Sequence, residues 1–504
     1  MPAIAAVDIG ANGMRMIVGN IDKDNRLDAI EWFREPVRLG QDAFGAAGVL
    51  SEQVIDRGIE TLGRFRDMMG KYGVVRSKIV ATSALREAKN RDVFVARASK
   101  ELGMDIIIIG AEEEARLIHL AVHDKLQAKK KMSLLVDIGG GSVEITLAAD
   151  GQVLSTVSYA IGTVRLMCEL GGKNHDEGDF NQLVHEYARS LRKQLKKEIG
   201  EKKIDLCVGT GGNIECMGDL RRELLSKDSN SVISVDELNA IVKKLRDSSY
   251  SERVGRMGLR PDRADVIVPA AIVLQRIVKQ SGASEITVPH VGLKDGLLLD
   301  IRNGLYGDKN DSVHRGQVLA WAKQLGRKYA FDEQHAVTVS AFSVKLFEAT
   351  KELHGLNGDA LLLLETAALL HDIGQFIDVS KHHKHTYYLL SATSIIGLSR
   401  PQMAVVANIA RYHRMAFPNV RHEGYAALPM KDRAVTSKLA AILRIADAMD
   451  MEHDSQVTHF NLELSKSRCA IRLKGKGDLK LEKWKLAKKA GLFEEVFNMK
   501  VAVE

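Results

Sequence analysis

The sequence predicts a chain in two parts. Residues 1 to about 305 read as α/β, and the remainder reads as an all-helical region ending in a small α+β segment. Three observations carry this. Strand-like runs alternate with helix-like stretches in the first part, and one glycine-rich pattern occurs twice within it. After about residue 310 the apolar spacing turns helical, and eleven of the sixteen histidines lie at or beyond His314.

The first part contains short apolar or β-branched runs ended by Gly, Asp or Ser. These are Ala3–Asp8, Ile17–Asn20, Lys78–Ala81, Ile106–Ile109, Ser133–Asp137, Val143–Ala148 and Ile204–Val208. Between them, Ser51–Gly70, Arg91–Leu102, Glu112–Leu126 and Phe180–Gly200 have helical spacing and length. Val-Asp-Ile-Gly-Ala-Asn-Gly at residues 7–13 returns as Val-Asp-Ile-Gly-Gly-Gly-Ser at 136–142, each between two strands, which predicts two similar subdomains facing a common cleft. The helical region carries Leu/Ala-rich stretches at Gly358–Leu370, Pro401–Arg411 and Ser437–Met449, and Asn303–Ser312 reads as a linker. The expected domains are 1–127, 128–305, 313–457 and 458–504.

A chain of 504 residues suggests three or four domains at roughly 150 residues each. With 45% apolar residues and 8 prolines it can fill large cores, which excludes disordered and collagen-like classes. The four cysteines form no CxxC pair, so neither a disulfide framework nor a cysteine zinc site is expected. No apolar run approaches the ~20 residues of a membrane span, and the N-terminus lacks a charged leader, so a cytoplasmic protein with no membrane partner is expected. The net charge of +7 gathers in clusters, Lys125 with Lys129–Lys131, Arg192–Lys197 and the stretch from Lys466 to Lys489. Such clusters attract anions, but without interleaved aromatics they do not point to nucleic acid.

Each repeated turn follows a strand ending in Asp. Glycine lets backbone N–H groups approach an anion closely, so Gly10, Ala11, Asn12 and Gly13, and Gly139, Gly140, Gly141 and Ser142, are candidate phosphate-binding groups. Asp8 and Asp137 repel phosphate themselves and are assigned to Mg²⁺, which bridges phosphate oxygens. A third loop, Gly209, Thr210, Gly211 and Gly212, precedes a helix whose N-terminus favours negative charge.

The order of these loops resembles the actin/Hsp70/sugar-kinase superfamily. The stretches Ala81–Asn90, Glu112–Ile118, Asp137–Glu144, Ile161–Leu166, Arg260–Ile267 and Val291–Leu297 narrow the resemblance to the exopolyphosphatase/guanosine pentaphosphate phosphatase family. It implies two actin-like (ribonuclease H-like) subdomains around a cleft, and hydrolysis of a terminal phosphoanhydride of inorganic polyphosphate or of guanosine pentaphosphate. It assigns Glu114 to water activation, Glu144 with Asp8 and Asp137 to Mg²⁺, and Arg15 and Arg86 to the substrate. It also implies binding of guanosine tetraphosphate as an alternative ligand, and a homodimer. Ala11 and Gly13 stand where the family's first turn carries serines, and Val143 and Asn213 where it carries threonines. A rival reading is a sensor whose cleft, lacking hydroxyls at Ala11 and Gly13, binds polyphosphate or an alarmone without hydrolysing it.

In the helical region His335, His371-Asp372 and Asp447 follow the H…HD…D order of HD phosphohydrolases. That resemblance implies a divalent transition metal, with His385 and His413 as further ligands for a second ion. His382, His383 and His385 also fit a plain basic loop, Lys381–Thr386.

Overall fold

The computed structural model describes residues 2–127, 131–171, 177–200, 202–305, 310–450, 452–465 and 467–504. Lys129, Lys130 and Lys466 of the basic clusters and residues 306–309 of the expected linker lie outside them. Contacts divide the chain into two compact units, residues 1–308 and 309–504.

The first unit is built on two sheets. Strands β1 (Ala3–Ile9), β2 (Met14–Ile21), β3 (Leu27–Glu35), β4 (Val74–Ala81) and β5 (Ile106–Ile108) form the first, in the order β3-β2-β1-β4-β5. Strands β6 (Ser133–Ile138), β7 (Val143–Ala149), β8 (Gln152–Tyr159), β9 (Leu206–Thr210), β10 (Val232–Ser234) and β11 (Glu285–Thr287) form the second, in the order β10-β11-β9-β6-β7-β8. In each, an antiparallel meander joins a parallel pair: β1–β2–β3 with β4 matches β6–β7–β8 with β9. The sequence repeat is thus a structural repeat. Strands β3, β8, β10 and β11 lie outside the runs that the sequence marks as strands. β3 is an edge strand whose residues Asp28–Trp32 are all exposed, so no buried-face alternation marks it.

Alternation along the strands positions the repeated aspartates. Ile4 and Ala6 of β1 and Leu135 of β6 join one core between the sheets, whereas Ala5, Val7 and Ile9, and Leu134, Val136 and Ile138, face away into two other cores. With period two, Asp8 continues the Ile4–Ala6 stripe and Asp137 continues that of Leu135. Each carboxylate is therefore the polar end of an apolar stripe turned toward the other sheet.

Helix Leu293–Leu305 closes this inner core. Leu293, Leu297, Leu298 and Ile301 pack with Ile4, Val80 and Leu117, so the end of the region read as the second subdomain lies on the first sheet. Asp300 on this helix accepts from Arg116 Nη2 at 2.7 Å and Lys78 Nζ at 2.8 Å, joining the helix to Ala111–Leu126 and to β4. Asn303–Leu305 still belongs to it, and Asn310–Ser312 begins the next helix, Asn310–Lys328, so both ends of the expected linker are helical.

The second unit is helical and carries a three-stranded sheet of β12 (Val457–Leu464), β13 (Arg468–Gly475) and β14 (Lys500–Val503). The segment read from sequence as a small domain of its own shares the helices' core: Phe460, Ile471, Leu486 and Phe493 pack in one cluster with Leu364, Val406 and Leu443. Among the described residues no helix is long and apolar enough to cross a membrane.

Burial raises the Asp300 carboxyl, but Arg116 and Lys78 outweigh it and hold its pKa at about 2. Its stabilisation is therefore full above the unfolded value near 3.9 and is lost as pH falls through about 2. Asp300→Ala strands the buried Arg116 cation, and urea denaturation is expected to show a loss of about 3 kcal/mol at pH 7, shrinking toward zero in acid.

Candidate active site

The two repeated turns have the same construction. Gly10 N–H donates to the Gly13 carbonyl and Gly139 N–H to that of Ser142, both at 3.1 Å. A following helix then caps the next carbonyl: Gly40 N–H donates to Ala11 at 2.8 Å, and Val164 N–H donates to Gly140 at 2.8 Å. The amides of Gly10 and Gly139 and the carbonyls of Ala11, Gly13, Gly140 and Ser142 are thus engaged in holding the turns. The turns also meet, since a Cβ on Gly140 would lie 3.0 Å from Ala11 Cβ and 3.3 Å from Asn12 N.

Within this symmetry one pair diverges. The β1–β2 register sets Asp8 opposite Arg15, and the β6–β7 register sets Asp137 opposite Glu144. One turn thus has a carboxylate beside a guanidinium, at 3.4 Å, and the other a carboxylate beside a carboxylate.

Glu114 joins the second pair. It lies in the first turn of helix Ala111–Leu126, and one oxygen each of Glu114, Asp137 and Glu144 lies within 4.8 Å of the others. Burial is the main force raising all three carboxyls. Asp137 reaches about 6, tempered by the Thr210 hydroxyl that donates to it at 2.6 Å; Glu144 reaches about 7, with Asp137 adding repulsion. Glu114 is driven well above the ordinary range by burial and then by Glu144, against the pull of Arg86. Its Oε2 and that of Glu144 have no hydrogen-bond partner. Buried acceptors left unpaired are costly, and three carboxylates in one place suit a hard divalent cation. Asp8, also raised by burial, lies outside this group of three and is held by Arg15.

These groups border a cavity of about 730 Å³. Gly10–Gly13, Gly139, Gly140, Ser142, Gly211 and Gly212 line it, with Asp8, Arg15, Glu114 and Asp137. Five other expected residues do not. Gly141 packs on Ser83 and Phe44, Gly209 on Ile214 and Ile286, and Thr210 supports Asp137. Glu144 stands behind, accepting from Ser158 at 2.8 Å. Arg86 donates to the Ile109 carbonyl at 2.8 Å and lies 3.9 Å from Glu114, so it faces the carboxylate rather than the cavity.

Sequence reasoning missed several lining groups. Arg34, Arg260, Arg263 and Lys294 bring positive charge to the same space as Arg15. Buried Arg263 donates to Asn213, and burial, with added repulsion from Arg15, Arg34 and Arg260, pulls its pKa down to about 10. Asn12 ties the first turn to Asp262 by donating to its carbonyl at 3.0 Å, and Asp262 also pairs with Arg34. Behind the second turn, Arg165 donates to the Gly141 carbonyl at 2.8 Å and pairs with Glu87 at 2.6 Å. The stretches Ile161–Leu166, Arg260–Ile267 and Val291–Leu297 were the available signal for Arg165, Arg263 and Lys294.

The second unit has its own cluster. Asp372 Oδ1 lies 3.0 Å from His382 Nε2, 3.4 Å from His413 Nε2 and 3.7 Å from His371 Nε2. Asp447 Oδ1 lies 3.7 Å from His371 and 3.8 Å from His335, and its other oxygen accepts from Lys489. The four imidazoles share one posture. Each Nδ1 is engaged, by Asp450 at 2.8 Å for His335 and by backbone carbonyls at 2.6–3.0 Å for His371, His382 and His413. That leaves the Nε2 atoms converging. His382, rather than the expected His385, completes the set, because it stands at the start of helix His382–Ser391 with Nδ1 on the Val379 carbonyl. Burial opposes protonation of His371, yet Asp372 and Asp447 hold it up at about 9. Three imidazole Nε2 atoms thus gather on the one oxygen, Asp372 Oδ1.

Known proteins share the sequence and fold of this chain. The chain is 26% identical over 448 residues to a guanosine-5'-triphosphate,3'-diphosphate pyrophosphatase of Aliivibrio fischeri strain MJ11, spanning 88% of this chain and 85% of the relative. It is 23% identical over 477 residues to the protein of that name in Photobacterium profundum, spanning 94% and 92%. The crystal structure of an exopolyphosphatase from Cytophaga hutchinsonii matches with a TM-score of 0.56 and 27% identity, covering 60% of this chain and 98% of that one. The Aquifex aeolicus member of the Ppx/GppA family matches at 0.52 and 26%, covering 61% and 99%. The family model for Ppx/GppA phosphatases fits residues 18–305, and that for Ppx/GppA phosphatase domain III fits 320–492. With two actin-like sheets, paired glycine turns and both family regions in order, the chain belongs to the Ppx/GppA phosphatase family.

Proposed function

We propose that the cleft of the first unit releases the terminal phosphate of a polyphosphate chain by hydrolysis, with Glu114 as general base. The observation that carries this is buried Glu114, whose Oε2 accepts no hydrogen bond and which lines the same cavity as the two glycine turns. A carboxyl raised by burial and like charge is a stronger base than one in water. The turn amides, Arg15 and Arg263 neutralise the equatorial oxygens of the transferring group, where such hydrolysis needs most help. Arg86 holds Glu114 in place. Asp137 and Glu144, with Asp8 adding charge, would hold Mg²⁺, which when bound neutralises the phosphate chain. The leading substrate is inorganic polyphosphate. A second reading, guanosine pentaphosphate, is favoured by the names of the Aliivibrio and Photobacterium relatives. Both present the same chain end.

We also propose that the second unit holds divalent metal through His335, His371, Asp372, His382, His413 and Asp447. Support comes from the anchored Nδ1 atoms, a supporting arrangement typical of metal-binding histidines, and from the Nε2 atoms of His371, His382 and His413 gathered on Asp372 Oδ1. Such ions, when bound, activate water and clamp phosphoryl oxygens.

Two measurements test these readings. Glu114→Gln is expected to lower phosphate release by roughly 10²–10⁴-fold while binding of tripolyphosphate persists. Unchanged turnover rejects the base, and a wild-type chain that binds tripolyphosphate with Mg²⁺ but frees no phosphate favours a sensor. Elemental analysis after Mn²⁺ loading is expected to find metal in wild type and His385→Ala and a clear loss in His382→Ala. Equal metal in all three overturns the second assignment.

A further inference from the structure

Three helices on the outer face of the second sheet bring together a separate group of charges. Helices Glu177–Ile199, Val235–Arg246 and Ile267–Ser281 share one core, through Val184 and Ala188, Val242 and Leu245, and Val273 and Ile277. That core also holds Leu134, Val136 and Ile138, on the side of β6 turned away from Asp137. Arg189, Arg246 and Arg276 each stand next in sequence to a buried core residue, namely Ala188, Leu245 and Ile277. Packing of the core therefore sets where the three guanidiniums leave the backbone, at the rim where the helices meet.

With Gln182, His185 and Glu186 these arginines line a small cavity of about 290 Å³, which shares no residue with the cleft. On the first helix Gln182, His185, Glu186 and Arg189 fall at i, i+3, i+4 and i+7, on one face. The walls are not neutral. Three guanidiniums meet one carboxylate, and Glu186 Oε1 already accepts from the Gln182 amide, at 3.4 Å. Among the described residues no carboxylate comes within ion-pair distance of Arg189, Arg246 or Arg276, whereas Arg221 is matched by Glu237 of the second helix at 2.7 Å. His185 registers the excess, since burial first, and then Arg246 and Arg276, push its pKa below the usual value.

The chemistry of the donors selects the anion. A guanidinium donates through a planar fork that matches two oxygens of a phosphate group, and here the forks come from three helices. A carboxylate ligand offers two oxygens and one charge, too few for three forks. Beyond Arg189 the same helix face continues through Lys193 and Lys196, both exposed, so a phosphate chain has somewhere to run.

We propose that this cavity is a second anion site, remote from the cleft, which takes a phosphate group between Arg189, Arg246 and Arg276 with the His185 ring beside it. The group is either free phosphate or the end of a phosphate chain. The site stands on its own, whether or not the cleft hydrolyses anything.

The test is protection of individual arginines from phenylglyoxal, mapped by mass spectrometry on the full chain in EDTA to keep tripolyphosphate intact. Inorganic phosphate is expected to protect Arg189, Arg246 and Arg276, and chloride at equal ionic strength to leave them reactive. In Arg276→Gln, half-protection of Arg246 should need roughly tenfold more phosphate, while protection of Arg15 and Arg34 in the cleft is unchanged. Arg276→Lys should recover part of the loss. Tripolyphosphate acting at tenfold lower concentration than phosphate, an advantage lost in Lys193→Gln/Lys196→Gln, identifies a chain end; equal concentrations identify free phosphate. Phosphate that protects these arginines no better than chloride, or protection of Arg246 that is indifferent to Arg276→Gln, overturns the proposal.

Discussion

Four carboxylates, Asp8, Glu114, Asp137 and Glu144, are buried close enough to shift one another, and the first unit is arranged around that repulsion. Burial disfavours each charge separately, and proximity disfavours them jointly. The surroundings answer only in part: Arg15 meets Asp8, Thr210 meets Asp137, Ser158 meets Glu144, and Arg86 stands 3.9 Å from Glu114. Two oxygens, Glu114 Oε2 and Glu144 Oε2, still accept no hydrogen bond. The shortfall of positive charge lies at the carboxylates, and a divalent cation there would relieve it.

The internal repeat explains how one fold supplies both halves of the cleft. Each copy delivers a strand ending in aspartate, a glycine turn and a capping helix, so the backbone donors come in duplicate. The copies then differ at the position opposite the aspartate, Arg15 in one and Glu144 in the other. Duplication provides the shape of the cleft, and a single divergence provides its polarity.

The parts legible in the sequence are those encoded locally. Apolar stripes ending in Asp-Ile-Gly, the glycine turns and the placement of Glu114 in a first helical turn all depend on spacing within a few residues. Arg34 reaches the cavity only through long-range packing and no local pattern marks it, whereas Arg263 and Lys294 lie in family-like stretches whose spacing does not say that they line the cavity. The edge strand β3 carries no buried alternation to read. His382 and His385 are alike in a run of basic residues, and only the helix start and the Val379 carbonyl distinguish them.

Helix Leu293–Leu305 has a consequence for how the chain comes into being. It is among the last elements of its unit to leave the ribosome, yet it covers strands made near the start, and Asp300 meets Lys78 across 222 positions and Arg116 across 184. Closure of so long a loop precedes any reward from these contacts. Until that segment emerges, the inner face of the first sheet lacks its cover, so the nascent protein must wait on a half-built core, exposed to chaperones and to misassociation, for most of its first three hundred residues.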